Sequence, residues 1–253
     1  MEEILLIGGM PRSGTTLLSN FVQQRFAIPV CPETHFFLSG YASQTGISID
    51  HLPLEVLQNE LVGGAYRSMQ GAKYKNAIDG FEAILARVFK EQFHFISEKT
   101  PAHLEYFYAI AAARDNYRFI VLDRSMSEVV DSLSRMKWNK RAYFRNCLTW
   151  VRHHYLSVKL KKHFPKRVQI VRYDLLCSNP DLVFRKLKNN LGLYRTSQNV
   201  EGFKNFDERH APWKIGSGDA PWVNQKKLKL NPPSIVLMNI FELFVRLFVK
   251  KIV

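Results

Sequence analysis

A short glycine-containing loop near the start of the chain limits the fold more than any other feature of the sequence. Residues 8–16 have the sequence Gly-Gly-Met-Pro-Arg-Ser-Gly-Thr-Thr, between an apolar run at 3–9 and a helical pattern at 14–24. Such a loop turns successive backbone N–H groups toward one point, where the N-terminus of the following helix adds partial positive charge. The alternative is a turn whose glycines only allow close packing, but the strand-to-helix context favours phosphate binding.

The loop differs at one position from the phosphate loop of nucleoside-triphosphate enzymes. That loop has the pattern G-x-x-x-x-G-K-[ST], and its lysine reaches the β- and γ-phosphates. Here Gly9 and Gly14 have the same spacing, but Thr15 stands where the lysine would be, and the nearby cation is Arg12. The sequence therefore argues against ATP or GTP hydrolysis.

Strand-length apolar runs alternate with helical patterns along the chain. This alternation predicts an α/β protein with a P-loop-like three-layer fold, in which helices flank a central parallel sheet. Strands are predicted at 3–9, 93–97, 118–123 and 168–171, and helices at 14–24, from Thr100 (the predicted N-cap) through Ala111, from Ser127 through Met136, and from Asn179 to Gly192. Residues 38–80 and 196–233 are predicted to be irregular loops over the strand ends. We expect one domain over 1–253, with a C-terminal apolar and basic helix at 234–253.

Composition excludes several classes of protein. The 253 residues are 46% hydrophobic and 23% charged, which is ordinary for a globular chain and excludes disordered, collagen-like and coiled-coil proteins. The three cysteines form no C-x-x-C pair, so neither a disulfide framework nor a cysteine zinc site is indicated. The start of the chain does not resemble a signal peptide, and no uninterrupted apolar run of about 20 residues is present. We expect a cytoplasmic protein.

Charge is distributed unevenly along the sequence. Residues 1–100 carry 8 Lys and Arg against 10 Asp and Glu, a net charge of −2, whereas residues 101–253 carry 28 against 12, a net charge of +16. Such a field attracts nucleic acid, a polyanionic glycan, anionic lipid or a multiply phosphorylated small molecule. A basic surface that serves only solubility is the alternative, and charge alone does not choose among them.

The segment Pro-Arg-Ser-Gly-Thr-Thr at 11–16 resembles the 5′-phosphosulfate loop of sulfotransferases that use 3′-phosphoadenosine 5′-phosphosulfate (PAPS). The resemblance implies that Ser13, Gly14, Thr15 and Thr16 bind the 5′-phosphate and that Arg12 neutralises charge as the sulfonate leaves. It also implies adenosine 3′,5′-bisphosphate as the product and no metal requirement, which would explain the missing lysine.

A second motif fits the same family. Arg124 follows a predicted strand, and Ser132 lies eight residues later in the predicted helix. In PAPS-dependent sulfotransferases an arginine and a serine at this spacing hold the 3′-phosphate, so the resemblance implies that role here. Taken singly, each residue is better explained as an ordinary surface residue.

A third set of residues resembles heparan-sulfate-type glycan sulfotransferases. Residues 32–37 (Pro-Glu-Thr-His-Phe-Phe) resemble the segment that carries the catalytic glutamate, and residues 98–101 (Glu-Lys-Thr-Pro) resemble the one that carries an assisting lysine. The resemblance implies that Glu33 is the base and Lys99 its electrostatic partner. The rival base is His35, with His103 a more remote candidate. Alternatively, Glu33 is a solvated loop residue and Lys99 simply pairs with Glu98.

Two later segments complete the sequence-based picture. In the loop at 213–218, Lys214 and Gly216 are candidate cofactor contacts, because sulfotransferases close a basic, glycine-containing lid there. The run at 235–253 is apolar with basic residues near its end. It predicts either a final helix docked on the domain or an interfacial helix attracted to anionic lipid.

The leading hypothesis is a PAPS-dependent sulfotransferase that acts by in-line displacement on a hydroxyl of a glycan, glycolipid or small-molecule alcohol. It would be cytoplasmic, peripheral to a membrane if 234–253 contacts lipid, and without a nucleic-acid partner. Two alternatives stay open: a nucleotide-dependent kinase with a degenerate phosphate loop, and a non-enzymatic basic module that binds nucleic acid or acidic polysaccharide.

Overall fold

Five parallel strands form the central sheet of the computed structural model, which describes residues 3–39, 47–49, 59–90, 93–139, 142–195 and 232–252. The strands are β1 (Glu3–Gly9), β2 (Val30–Cys31), β5 (Phe95–Lys99), β6 (Tyr117–Asp123) and β7 (Val168–Arg172). Their order in the sheet is β2-β5-β1-β6-β7, so β1 lies in the centre. The predicted α/β class with a central parallel sheet is confirmed.

Helices cover both faces of the sheet because the strands are apolar on both faces. Ile4 and Leu6 of β1 pack into one core cluster, whereas Leu5 and Ile7 pack into the other. The first cluster includes α3 (Ala77–Val88) and α4 (Leu104–Ala113), and the second includes α1 (Thr15–Phe26) and α8 (Pro180–Leu191). This is the predicted three-layer arrangement.

Residues 38–80 were expected to be irregular, and this prediction is wrong for much of the part that the structure describes. Two helices occur here, α2 (Glu60–Arg67) and α3, together with an antiparallel pair of short strands, β3 (Ile47–Ser48) and β4 (Lys73–Tyr74). Asn59 and Asn76, which resemble loop residues in the sequence, are N-caps whose side chains accept backbone N–H bonds of α2 and α3.

The strand predicted at 93–97 lies two residues later, at Phe95–Lys99, so that Glu98 and Lys99 belong to β5. Thr100 follows at the predicted N-cap position, but its hydroxyl bonds to Glu98 and caps no helix. A 3₁₀ turn at Pro101–His103 then leads into α4.

The other helices complete the layers. The C-terminal half of the chain contains α5 (Met126–Ser134), α6 (Tyr143–His163), α7 (Tyr173–Ser178), α8 and α9 (Pro232–Ile252). The predicted bounds of α8 are confirmed: the Asn179 side chain accepts from Leu182 N, and Gly192 ends the helix in the left-handed conformation with φ 67°. The 21-residue helix α6 was not predicted.

The C-terminal helix α9 docks on α5 and α6 through Met238, Val245 and Val249, which favours the docked alternative. Its opposite face is apolar and exposed, and comprises Val236, Leu237, Ile240, Phe241, Leu243, Phe244, Leu247, Phe248 and Ile252. Among the helices of the described residues, none has the length and apolar character that spanning a bilayer requires.

Candidate active site

The loop between β1 and α1 has a backbone that only glycine allows at two points. Gly9 has φ +153° and Gly14 has φ +104°. A Cβ atom at Gly9 would come within 2.7 Å of the Leu122 carbonyl oxygen, and one at Gly14 within 2.6 Å of the Tyr173 ring. Both glycines therefore permit a positive φ and a close approach, which is how a loop folds its N–H groups inward.

The N-terminus of α1 is open to an anion. Gly14 is the N-cap and provides no side chain, the first turn carries no acidic residue, and the first amide bonded back to Gly14 is that of Leu18, at 3.2 Å. The Ser13 hydroxyl is buried without a hydrogen-bond partner. Unpartnered donors at a helix N-terminus fit a phosphate group. The residues present therefore fit a nucleotide 5′-phosphate.

Arg12 connects this loop to the second predicted motif. It has φ +73°, which a non-glycine residue adopts rarely, and its side chain is exposed. Its Nε donates to Ser132 Oγ at 3.3 Å. The fold therefore brings the phosphate loop and the helix that carries Ser132 together, although 120 positions separate the two residues.

Arg124 lies directly after β6, as the sequence predicted. Its guanidinium carbon is 4.0 Å from the centre of the Tyr173 ring, and its Nε is 3.3 Å from Glu128 Oε2. Its carbonyl oxygen accepts a 2.9 Å bond from Trp150 Nε1. The contact of Tyr173 with both Gly14 and Arg124 was not predicted from the sequence, because these residues meet only when β7 pairs with β6.

Glu33 and Lys99 form the third part of the site. Lys99 Nζ lies 2.5 Å from Glu33 Oε1 and 3.5 Å from Thr16 Oγ1. Lys99 is at the end of β5, and Glu33 follows β2, the parallel neighbour of β5. The pair therefore lies at the same sheet edge as the phosphate loop.

The environment of Glu33 keeps its carboxylate ionised. His35 Nε2 lies 3.3 Å from Glu33 Oε2. Burial raises the pKa of Glu33, but the hydrogen bond to His35 and the charge and hydrogen bond of Lys99 outweigh it and lower the pKa from 4.5 to about 2. A carboxylate with this pKa is ionised at neutral pH, which is the form that a general base requires.

Glu98 lies on the other side of β5 and does not pair with Lys99, so the alternative assignment of Lys99 is wrong. Successive residues of a strand point to opposite faces. Glu98 Oε1 accepts from Thr34 N at 3.2 Å and from Thr34 Oγ1 at 3.0 Å, and it also accepts from the hydroxyl of Thr100. Glu98 therefore fixes the residue next to Glu33.

His103 is fully buried and contacts the segment that follows Glu33. Its Nε2 accepts from Phe37 N at 3.3 Å, and its Nδ1 lies 3.3 Å from Glu98 Oε2. An amide can only donate, so the proton is on Nδ1 and is donated to Glu98. Burial raises the pKa of Glu98, but the interactions with His103, Thr100 and Thr34 outweigh it and lower the pKa below 4.5. His103 is thus enclosed in the core rather than open to an acceptor.

The two predicted cofactor contacts in the late loop, Lys214 and Gly216, lie outside the described residues. Within the described ranges, no group of three or more His, Cys, Asp and Glu side chains is arranged to hold a metal ion.

The central parallel sheet with helices on both faces is the P-loop-like α/β fold found in sulfotransferases. The chain belongs to the sulfotransferase family, whose sequence profile matches residues 5–197, and the protein is a sulfotransferase. No curated protein sequence matches it significantly.

Solved structures of sulfotransferase domains share the fold, and two of them illustrate the similarity. The sulfotransferase domain of the Synechococcus PCC 7002 olefin synthase has a TM-score of 0.60 at 16% identity, over 95% of this chain and 94% of that one. The sulfotransferase domain from the curacin biosynthetic pathway has a TM-score of 0.53 at 17% identity, over 78% of this chain and 75% of that one. At these identities the similarity concerns the fold.

Proposed function

We propose that the protein transfers the sulfonate of PAPS to a hydroxyl group by in-line displacement. The observation that carries the proposal is that one sheet edge brings together a phosphate loop without a lysine, the Glu33–Lys99 pair and Arg124 at the end of β6, with Arg12 of the loop bonded to Ser132. When bound, PAPS supplies an activated sulfonate whose leaving group is adenosine 3′,5′-bisphosphate.

The protein's own residues have distinct roles in this proposal. The Ser13 hydroxyl and the backbone N–H groups of Gly14, Thr15 and Thr16 hold the 5′-phosphate, and Arg124 with Ser132 holds the 3′-phosphate. Glu33 takes the proton of the acceptor hydroxyl as the new O–S bond forms and the S–O bond to the 5′-phosphate breaks. Lys99 and Arg12 stabilise the negative charge that develops on the sulfonate and on the leaving oxygen.

The acceptor in this proposal is a hydroxyl of a glycan or glycolipid, with a small-molecule alcohol as the simpler case. The resemblance of residues 32–37 to heparan-sulfate-type enzymes supports a glycan, and the net charge of +16 over residues 101–253 supports an acidic one. Sulfate transfer from PAPS to panels of neutral and acidic oligosaccharides, glycolipids and simple alcohols would discriminate among these classes.

The first experiment measures thermal unfolding with adenosine 3′,5′-bisphosphate, AMP or Mg-ATP. A ligand at one hundred times its Kd adds about 2.7 kcal/mol to the free energy of unfolding, which raises the Tm visibly. We expect the bisphosphate to give the largest shift and Arg124→Ala to lose it. A preference for Mg-ATP would instead support the kinase, and salt-dependent binding of DNA or heparin without nucleotide dependence would support the basic module.

Peripheral membrane contact through α9 is the second part of the proposal. Its exposed face presents leucine and phenylalanine side chains, and Lys250 and Lys251 lie in its last turn, a combination that suits an anionic lipid surface. Co-sedimentation with phosphatidylglycerol vesicles tests it. We expect binding that Phe244→Ser with Leu247→Ser abolishes, whereas equal binding by this variant, or none by the wild type, would refute it.

A further inference from the structure

The polar side chains of α9 converge on the segment between β6 and α5. Glu242 Oε2 accepts from Met126 N at 2.7 Å, and Asn239 Oδ1 accepts from Ser127 Oγ at 3.1 Å. Arg246 donates to both oxygens of Asp123, at 2.6 and 3.3 Å. These contacts lie on both sides of Arg124 in the sequence, so α9 brackets the arginine proposed to hold the 3′-phosphate.

The contact at Met126 replaces a cap that α5 lacks. Ser125 is at the N-cap position, but its hydroxyl donates to Glu128 Oε2 at 2.8 Å instead of capping the helix. The amide of Met126 is bonded by Glu242, which is buried, and a carboxylate at a helix N-terminus is favourable. α9 thus fixes the beginning of the helix that carries Ser132.

A second set of contacts fixes the backbone of Arg124 itself. The guanidinium of Arg246 lies 5.0 Å from the centre of the Trp150 ring, and Trp150 Nε1 donates to the carbonyl oxygen of Arg124. Asp123, the residue before it, is bonded by Arg246 and lies 3.7 Å from His154 Nδ1. The residue whose side chain would meet the phosphate is therefore held through its backbone, partly from α9.

Docking of α9 alone does not require this network. Met238, Val245 and Val249 already bury an apolar stripe against α5 and α6. Burying a carboxylate and a guanidinium has a desolvation cost, and a well-packed apolar pair is often as stable. Glu242 and Arg246 form an ion pair at 2.9 Å. This pair is therefore better explained by its contacts with Met126 and Asp123 than by a contribution to the stability of the fold.

We propose that Glu242, Arg246 and Asn239 are positioning residues for the 3′-phosphate site, and that α9 sets the geometry in which Arg124 and Ser132 recognise that phosphate. The inference rests on the proposed function. It predicts that damage to this network weakens binding of a nucleotide that carries a 3′-phosphate and leaves binding of one without it unchanged.

The test is isothermal titration calorimetry of the full chain with adenosine 3′,5′-bisphosphate and with AMP, which lacks the 3′-phosphate. For Glu242→Leu we expect the bisphosphate Kd to rise about fivefold to tenfold while the AMP Kd stays the same. Glu242→Gln keeps an oxygen that can accept from Met126 N, so it retains most of the preference. Asn239→Ala is a milder second variant, in case Glu242→Leu does not fold, and we expect a smaller change in the same direction.

Two control variants separate positioning from simple attachment of α9. Val245→Ala removes a docking contact without touching the polar network, so we expect a lower Tm with the preference for bisphosphate intact. Leu243→Ala lies on the exposed face of α9, so we expect it to change neither the Tm nor the preference for bisphosphate. The inference is overturned if the folded Glu242→Leu and Asn239→Ala variants keep the wild-type preference, or if Val245→Ala loses it equally. Failure of the proposed function is distinguishable, because the wild type itself would then show no preference for bisphosphate.

Discussion

Glu33 Oε1 and Lys99 Nζ lie 2.5 Å apart, although 66 positions separate them in the sequence. They meet because β2 and β5 pair in parallel, so residues at their carboxyl ends share one edge of the sheet. The ammonium favours the ionised carboxylate, and its position 3.5 Å from Thr16 Oγ1 ties the pair to the phosphate loop. The proposed base and the proposed charge stabiliser are therefore one unit.

Replacement of the base should affect chemistry and not cofactor binding. For Glu33→Gln we expect kcat to fall about 10²–10⁴-fold, because general-base catalysis contributes on that scale, with the Kd for adenosine 3′,5′-bisphosphate unchanged. Steady-state sulfate transfer together with calorimetry measures both quantities. His35→Gln is the matched control, and a larger loss in that variant would make His35 the base.

The pH dependence of the reaction gives an independent way to decide whether Glu33 or His35 is the base. Because the pKa of Glu33 is about 2, its carboxylate is ionised throughout pH 5–8, and kcat/KM should show no acidic decline from the base in that range. An imidazole base ordinarily titrates near pH 6.5, so kcat/KM would then fall toward pH 5. The profile of kcat/KM against pH therefore distinguishes the two candidates.

Lys99→Met should reduce kcat and also change the protonation of Glu33. The charge of Lys99 helps to lower the pKa of Glu33, so its removal should raise that pKa and move the acidic limb of kcat/KM to higher pH. The measurement is the pH profile of kcat/KM compared with the wild type. An unshifted acidic limb with unchanged kcat would contradict the assigned partnership.

Glu98→Gln should destabilise the fold through the segment that carries Glu33. Both carboxylate oxygens of Glu98 accept hydrogen bonds, from Thr34, Thr100 and His103, whereas one of the two terminal atoms of a glutamine is a nitrogen that can only donate. We therefore expect a loss of about 2–4 kcal/mol in the free energy of unfolding. Urea unfolding measures it. Because the pKa of Glu98 is lowered, the wild type should also lose stability as the pH falls through and below 4.5, and the variant less so.

Alanine substitutions at two glycines should change the stability of the protein in opposite directions. Gly14→Ala places a Cβ against the Tyr173 ring at a positive φ, so it should lower stability by more than about 1 kcal/mol and weaken bisphosphate binding. Gly64 lies inside α2 with nothing within 4 Å of a Cβ, so Gly64→Ala should raise stability by up to about 1 kcal/mol. Thermal unfolding of both variants measures the two changes in Tm. Changes of the same sign would contradict the prediction.

Local sequence patterns predicted four of the five strands of the sheet and missed the two-residue strand β2. The buried run at 3–9, the loop after it and Arg124 after β6 were all placed correctly. The helices α2 and α3 were not predicted, because the asparagines at their starts are equally common in turns. The helix α6 was missed because its polar and aromatic residues do not form a clear apolar stripe.

Contacts between distant segments were not available from the sequence. Tyr173 meets Gly14 and Arg124 only through the pairing of β6 with β7. Glu242 and Arg246 are charged positions within the apolar run at 235–253, and only the structure shows that they bind Met126 and Asp123. Such pairings depend on the tertiary arrangement, which residue spacing along the chain does not encode.

The central position of β1 has a consequence for synthesis of the protein. Its neighbours on the two sides are β5 and β6, so both edges of β1 can be paired only after Tyr117–Asp123 has been synthesised. Long-range parallel pairing is slow to form, and an apolar strand with open edges can associate with other chains in the meantime. Early packing of α1 against β1 would shield one face of the strand on which the phosphate loop is built.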